Sequence, residues 1–443
     1  SEKTADKSHL RRSHARRRQV TLPMSDDESA HDDQRASLRP WASLRYRDYS
    51  LLFLLSLFVT TAQQMRQTQY FYQVYELSGS AFQLGLTGVA QGIPIFALGL
   101  FGGTLADFLD RKKLLMITIF GNLVVAVALG VLTLTGLIEV WHIQVSAALT
   151  SAFTIVLNPT RMALISHLVP RSHLTNAVSL NSSVSQGSHF IGPMLGGLSL
   201  AWMSTGNAYL LNALFYIPAA AAVVLLQPPA VDVSARERFS LGSFLAGIRF
   251  LFSEPVILAL VMLDFIIVGV GYYRPLLPIF AKDILFVGPA GFGALSSAPA
   301  VGGILGTVTL LFIGDVKSKG LLALSSFLGY TLALGLFALS ASFAPSLLLL
   351  GVLGLANSLQ AVMRQTSFHL LTPDQVRGRA FSVFNMFSQG ANSVGAAEVG
   401  FMAALLGAPG SLLFGCAVGG MLTLGCWIMM PNLRSFGTEM RRH

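Results

Sequence analysis

Residues 103–113 read Gly103-Thr104-Leu105-Ala106-Asp107-Phe108-Leu109-Asp110-Arg111-Lys112-Lys113. The stretches on either side, 81–102 and 114–138, contain no charged residue. A short charged turn between two long apolar runs is what a chain shows where it leaves a bilayer and at once re-enters it, since about 20 apolar residues span the hydrocarbon. The same reading extends along the chain. Runs at 49–75, 81–106, 112–136, 142–168, 174–201, 207–226, 254–281, 289–313, 320–340, 345–371, 378–405 and 410–430 read as spans joined by short connections. The expected fold class is an all-α membrane protein with twelve transmembrane helices in two pseudo-symmetric six-helix bundles.

Composition agrees. Of 443 residues, 53% are hydrophobic and 12% charged, against about 25% charged in soluble domains. A water-soluble fold could not hide that much apolar surface. Cys416 and Cys426 are ten positions apart in one apolar run, roughly 15 Å along a helix and too far for a disulfide. No zinc spacing, CxxC pair, GxSxG, HExxH or P-loop occurs, so no metal, cofactor or catalytic centre is expected, and the chain does not read as an enzyme.

Charge sets the orientation. Of 30 Lys and Arg, four lie within spans (Arg66, Arg161, Arg274 and Arg364), and Lys282 alone falls on the side opposite the N-terminus. The others lie in the tails and in alternate loops, which places both termini in the cytoplasm. The expected organisation is a basic disordered cytoplasmic tail over 1–47, a six-helix bundle over 48–226, and a cytoplasmic linker with an amphipathic helix over 227–253. A second bundle follows over 254–430, and a cytoplasmic tail over 431–443. The eleven basic residues of the first 47 read as a tail near anionic headgroups rather than a nucleic-acid arm. No cleavable leader is expected before the first span, and Met24 is a plausible alternative start.

The two halves repeat each other. Arg66 and Arg274 are 208 positions apart, as are Asp107 and Asp315. Later the offset is 203, for Arg161 with Arg364, Pro170 with Pro373, and Ser185-Gln186-Gly187 with Ser388-Gln389-Gly390. A steady offset with one five-residue step is what a duplicated six-helix unit leaves, and parallel repeats of this kind carry a solute site at the midplane between halves.

Ionised side chains are costly in hydrocarbon and must face a cavity or a partner. Gln63, Arg66, Gln67 and Tyr70 follow i, i+3, i+4, i+7 and make one polar stripe. Thr154, Asn158 and Arg161 form another, as do Asn357, Gln360 and Arg364, with Tyr273 and Arg274 in the seventh span. Together these are the expected cavity residues. Guanidinium groups bind carboxylates, phosphates and catecholates through forked hydrogen bonds, so an anionic or oxygen-rich solute follows. Some arginines are equally read as ion-pair partners that hold helices or gates together. Asp264 and Glu398, the two carboxylates well inside spans, are the candidates for proton coupling or for a static ion pair. His189 reads as a weaker coupling candidate or as a core histidine. Gly192, Pro193, Gly196 and Gly197 read as helix-packing positions.

The 103–113 turn resembles the loop signature of the major facilitator superfamily, G-x-x-x-D-R-x-G-R-K. Gly103, Asp107, Arg111 and Lys112 match it, while Phe108 and Asp110 stand where the family has Arg and Gly. Asn158-Pro159-Thr160-Arg161-Met162-Ala163-Leu164, Leu168-Val169-Pro170-Arg171 and Leu174-Thr175-Asn176-Ala177-Val178-Ser179-Leu180-Asn181 resemble the enterobactin-exporter-like, drug-efflux branch. Thr372-Pro373-Asp374-Gln375-Val376-Arg377-Gly378-Arg379 resembles that branch's second-half loop, and Gly192-Pro193-Met194-Leu195-Gly196-Gly197 resembles an antiporter signature. The resemblance implies a major facilitator fold working by alternating access. It further implies proton-driven export of a siderophore or amphipathic drug-like solute, with Gly103, Asp107, Arg111, Lys112 and Asp315 at the gate. The expected partners are a small molecule, protons and the lipid bilayer, with no nucleic acid, in a monomer at the cell inner membrane. Uptake or flipping of a lipid-like solute, and a non-transporting sensor or scaffold, are the alternatives.

Overall fold

The computed structural model describes residues 41–98, 110–227, 248–314, 316 and 318–435. The gating positions Gly103, Asp107 and Asp315, the segment 1–40, most of the linker (228–247) and residues 436–443 lie outside the described residues.

The described chain is helical from end to end. α1 runs Arg47–Ser78, α2 Ala81–Leu98, α3 Arg111–Leu134, α4 Val140–Leu168, α5 Leu174–Trp202 and α6 Thr205–Leu225. After the linker come α7 Pro255–Val270, α8 Gly288–Ile313, α9 Lys319–Ala338, α10 Phe343–Leu371 and α11 Asp374–Met429. Gly407, at φ 76° and ψ 164°, breaks α11 into two limbs, 374–406 and 408–429. That backbone conformation suits glycine and reverses the chain.

Local chemistry places the ends. Gly79 closes α1 in the left-handed region at φ 58°, the usual way to end a helix before a tight reversal. Asp110 caps α3 by accepting from the backbone N–H groups of Lys112 and Lys113, and Ser204 caps α6 through Asn207.

Among the described residues, nine helical stretches are long and apolar enough to cross a membrane. α1 and α5 are equally long but carry Gln, Thr, Asn and Ser along the bundle interior, which dilutes their hydropathy. The packing is inverted relative to a soluble protein. Ile117, Val124 and Val131 of α3 and Leu332 and Leu336 of α9 are exposed, while polar Gln69, Asn122, Asn212 and Asp264 are buried. A bilayer accepts such a surface, and backbone hydrogen bonds closed within each helix leave nothing for lipid to satisfy.

Two crossings join the halves. α2 meets the first limb of α11, where a Cβ on Gly85 would lie 2.9 Å from the Gly400 Cα. α5 meets α8, where a Cβ on Gly197 would lie 2.3 Å from the Gly293 Cα. Gly85 and Gly293 are 208 positions apart, and Gly197 and Gly400 are 203 apart, so the two contacts are copies of each other under the repeat. Only glycine lets the backbones approach this closely. At the same end of the bundle the Tyr75 hydroxyl donates to the Asp283 carboxylate, a pair itself separated by 208 positions. Tyr72 packs on Phe292 with centroids 5.7 Å apart. Repeat-equivalent residues that touch mark the pseudo-twofold axis, and the halves are shut at this end.

Candidate functional site

Between the halves lies a cavity of about 600 Å³. Gln64 and Gln67 of α1 and Gln186 and His189 of α5 line it on one side; Tyr272, Tyr273, Arg274, Tyr330, Asn357, Gln365 and Asn392 line it on the other. Thr307 and Ser358 add hydroxyls. No carboxylate is among the lining residues. The lining thus offers amides, phenols, one imidazole and one guanidinium.

Arg274 owes its position to a break in the seventh helix. α7 stops at Val270, and Gly271 caps it. A 3-10 turn then covers Arg274–Leu276, and a π turn covers Phe280–Ile284. Pro275 and Pro278 lack an N–H, and a proline disfavours helical conformation in the residue before it. The freed Gly271 carbonyl accepts from the Tyr330 hydroxyl at 3.5 Å. Arg274 emerges at this break beside Tyr272, Tyr273 and Tyr330. Interrupted helices of this kind line solute sites in transporters.

A second cluster lies in the wall behind Asn357. Asp264, 4% exposed, forms an ion pair with Arg364. Gln360 Nε2 donates to Asp264 Oδ1 at 3.1 Å and to Asn357 Oδ1 at 3.0 Å. Ser388 Oγ donates to Asp264 Oδ2 at 3.3 Å and receives Arg364 Nη2 at 3.3 Å. The Arg364 guanidinium also covers the Phe384 ring at 5.2 Å. The carboxylate is therefore compensated on every side, and the Gln360–Asn357 amides connect it to the cavity surface.

Of the cavity residues expected from sequence, the structure brings together Gln67, Tyr273, Arg274 and Asn357. Gln67 also exchanges amide hydrogen bonds with Gln91. Gln63 bonds Thr154 at 3.2 Å and is not among the lining residues. Arg66 and Tyr70 are corrections. Arg66, 3% exposed, donates to Asn122 at 2.7 Å inside the N-terminal bundle, and Tyr70 packs on Tyr209. The stripe has a width: at about 100° per residue, Arg66 lies some 100° around the helix from Gln67, and the cavity sits on the Gln64–Gln67 side. Arg161 donates to Thr60 at 3.1 Å and to Asn158 at 3.3 Å, which keeps both Arg161 and Asn158 in the wall rather than on the lining. Gln360 and Arg364 belong to the Asp264 cluster. Glu398 sits half-buried in the first limb of α11 and is not among the lining residues.

Arg111 donates to the Ala163 carbonyl of α4 at 3.3 Å, and Lys112 to the Val224 carbonyl of α6 at 2.8 Å. Lys112 thereby meets the carbonyl-rich C-terminal turn of α6. Gly192 and Gly196 press α5 onto Gln64 and Met65 of α1, and Gly197 presses it onto α8. Pro193 lies inside α5 at the same level. Sequence reasoning did not place Gln64, Gln186, Tyr330, Gln365 or Asn392 on the cavity. Gln64 precedes Gln67 by three positions and Gln186 lies in the repeated tripeptide, signals that were present; nothing local marks Tyr330 or Asn392.

The chain is 28% identical over 375 residues to the enterobactin exporter EntS of Shigella boydii serotype 18, covering 82% of this chain and 87% of that protein. It is 27% identical over the same shares to the EntS protein of Escherichia coli O81. The fold is similar to a solved nucleoside transporter NupG, with a TM-score of 0.71 at 13% identity, over 87% of this chain and 99% of that one. It is also similar to a bacterial homologue of the lysosomal transporter Spinster, with a TM-score of 0.62 at 14% identity, over 90% and 97% of the chains. The family described as transmembrane secretion effector matches residues 38–440. With a polar cavity between two repeated helical bundles and a family match across nearly its whole length, the chain is a multi-pass inner-membrane secondary transporter belonging to the transmembrane secretion effector family of the major facilitator superfamily.

Proposed function

We propose that this protein exports an anionic, oxygen-rich solute of the siderophore class through the central cavity. The carrying observation is the lining: a guanidinium ringed by phenols and amides, with no carboxylate among the lining residues. Such a surface suits catecholate or carboxylate oxygens, which accept from several donors at once, and would repel no anion. The relatives named enterobactin exporter support the same solute class.

In this reading the bundles 48–226 and 254–430 rock about the paired glycine crossings, and both termini face the cytoplasm. The closed Tyr75–Asp283 end is then the outer end. Proton coupling is assigned to Asp264. Protonation there would release Arg364 and reorder Gln360 and Asn357 at the cavity wall, which gives the coupling group a physical link to bound solute.

The test is uptake of a radiolabelled catecholate siderophore into inverted membrane vesicles, with and without an imposed proton gradient. Accumulation that needs both the gradient and Arg274 is expected. Gradient-independent accumulation would remove the coupling role of Asp264, and none at all would overturn the substrate class. An apolar groove of about 680 Å³ between α5, α8 and α10, lined by Phe190, Met194, Val301 and Leu348, favours a second reading, flipping of a lipid-like solute. A fluorescent lysolipid assayed in the same vesicles separates the two.

A further inference from the structure

We propose that the N-terminal bundle holds a small inorganic anion of the halide class against Arg66, away from the solute cavity. Arg66 is enclosed at 3% exposure between the rings of Tyr70 and Tyr216, 5.9 and 5.5 Å from its guanidinium carbon. Its one hydrogen bond goes to the neutral Asn122. No carboxylate among the described residues pairs with it, and its Nη1 is buried without a partner. A guanidinium does not shed its proton at any pH a protein meets, so burial cannot be relieved by neutralisation, as it can for lysine or a carboxylate. A buried charge with no counter-charge is strongly unfavourable, and an orphaned buried polar atom points to an ion or water at the site.

The surroundings favour an anion. The hydroxyls of Tyr70, Tyr209 and Tyr216 are also buried without partners, and Tyr70 packs 6.2 Å from Tyr209. The Tyr216 hydroxyl stands near the guanidinium, without the geometry of a good hydrogen bond. Arg66 Nη1 and the hydroxyls of Tyr209 and Tyr216 are thus orphan donors on α1 and α6, and the Tyr70 hydroxyl stands beside Thr150 of α4. Asn212 Oδ1, Gln69 Oε1 and Gln73 Oε1 are among the orphan polar atoms of the same bundle. Waters would satisfy those amide oxygens, but water supplies no negative charge to Arg66. Arg66, Tyr209 and Tyr216 are each buried and none lines the solute cavity, so this site is separate from the solute path and takes a small occupant. The repeat-equivalent Arg274 needs no such ion, since it opens to the cavity.

The experiment uses the full chain in lipid nanodiscs at constant ionic strength, with bromide as the probe and gluconate as the control. Thermal unfolding should shift upward by several degrees in bromide, and the shift should vanish in Arg66→Gln. Tyr70→Phe and Tyr216→Phe keep the rings and remove the hydroxyls. They should weaken the bromide response, and they carry the test should Arg66→Gln fail to fold. Crystals grown in bromide should give an anomalous peak beside Arg66. Identical unfolding in both salts, a shift that persists in the variants, or buried water only at the anomalous position would each overturn the proposal. None of these outcomes depends on the exported solute, so the export reading stands or falls separately.

Discussion

Arg66 and Arg274 occupy the same place in the repeat and have opposite fates. α1 is one continuous helix over Arg47–Ser78, and it turns Arg66 into its own bundle against Asn122. The seventh helix stops at Val270 and resumes after a break, and it delivers Arg274 to the cavity. Most positions of the two segments differ, and three of the differences bear on this contrast. Pro275 and Pro278 stand where the first half has Gln67 and Tyr70, and Tyr330 stands where it has Asn122. The arginines of α4 and α10 diverge likewise. Arg364 meets Asp264, whereas Arg161 meets Thr60 and Asn158, because the repeat position of Asp264 is Ser56. Duplication supplied the cations twice, and local backbone and partner changes gave one half the cavity-lining arginine and the charge pair.

The largest way to break this contrast is Asp264→Asn. It leaves Arg364 buried without its counter-charge, as Arg161 is, but without the Thr60 and Asn158 acceptors. A loss of about 3–5 kcal/mol in stability is expected, read by thermal unfolding in nanodiscs. An unchanged unfolding temperature would mean that the pair is not closed in the membrane. Next comes the Arg274→Ala and Arg66→Ala pair. Arg274→Ala should weaken solute binding by about 1.5–3 kcal/mol, the worth of a charged hydrogen bond, with stability nearly intact. Arg66→Ala should lower stability first. Equal effects of the two on binding, measured by calorimetric titration, would erase the distinction between them.

The glycine crossings sharpen the comparison, because there the halves stayed alike. Gly197→Val and Gly400→Val should each disfavour closure of the Tyr75 end by about 1–3 kcal/mol, the usual cost of overpacking. That is roughly a 5- to 150-fold shift in population. Spin-label distances between the ends of α2 and α11 report it, and markedly unequal shifts would contradict the twofold relation. The smallest effect belongs to Tyr75→Phe. It removes one hydrogen bond at the axis, worth about 0.5–1.5 kcal/mol, and should raise the open fraction modestly in the same measurement.

The helical layout was legible because span length and apolar run length are set by one physical dimension, the bilayer. The expected spans at 142–168, 289–313 and 345–371 differ from α4, α8 and α10 by no more than two residues at either end. The break at Arg274 was written in Gly271, Pro275 and Pro278, but an apolar-run reading passes over it and continues the span to 281. The cavity was half legible. A polar stripe says that a helix face avoids lipid, and both a bundle core and a water-filled cavity satisfy that condition. Gln67 and Arg66 are therefore equivalent to a sequence reading and distinct only in the packed structure.

By itself the sequence determined where the chain crosses the membrane, that it is built twice, and which side chains are too polar for lipid. Those follow from local composition and from offsets along the chain. Only the tertiary structure decided which arginine lines the cavity, which meets a carboxylate and which is enclosed. Each outcome depends on the rotation of one helix against its neighbours and on partners such as Asn122, Tyr330 and Ser388, which lie from 24 to 56 positions away. A charge in a medium of low dielectric is governed by its nearest counter-group, and sequence distance does not encode that proximity.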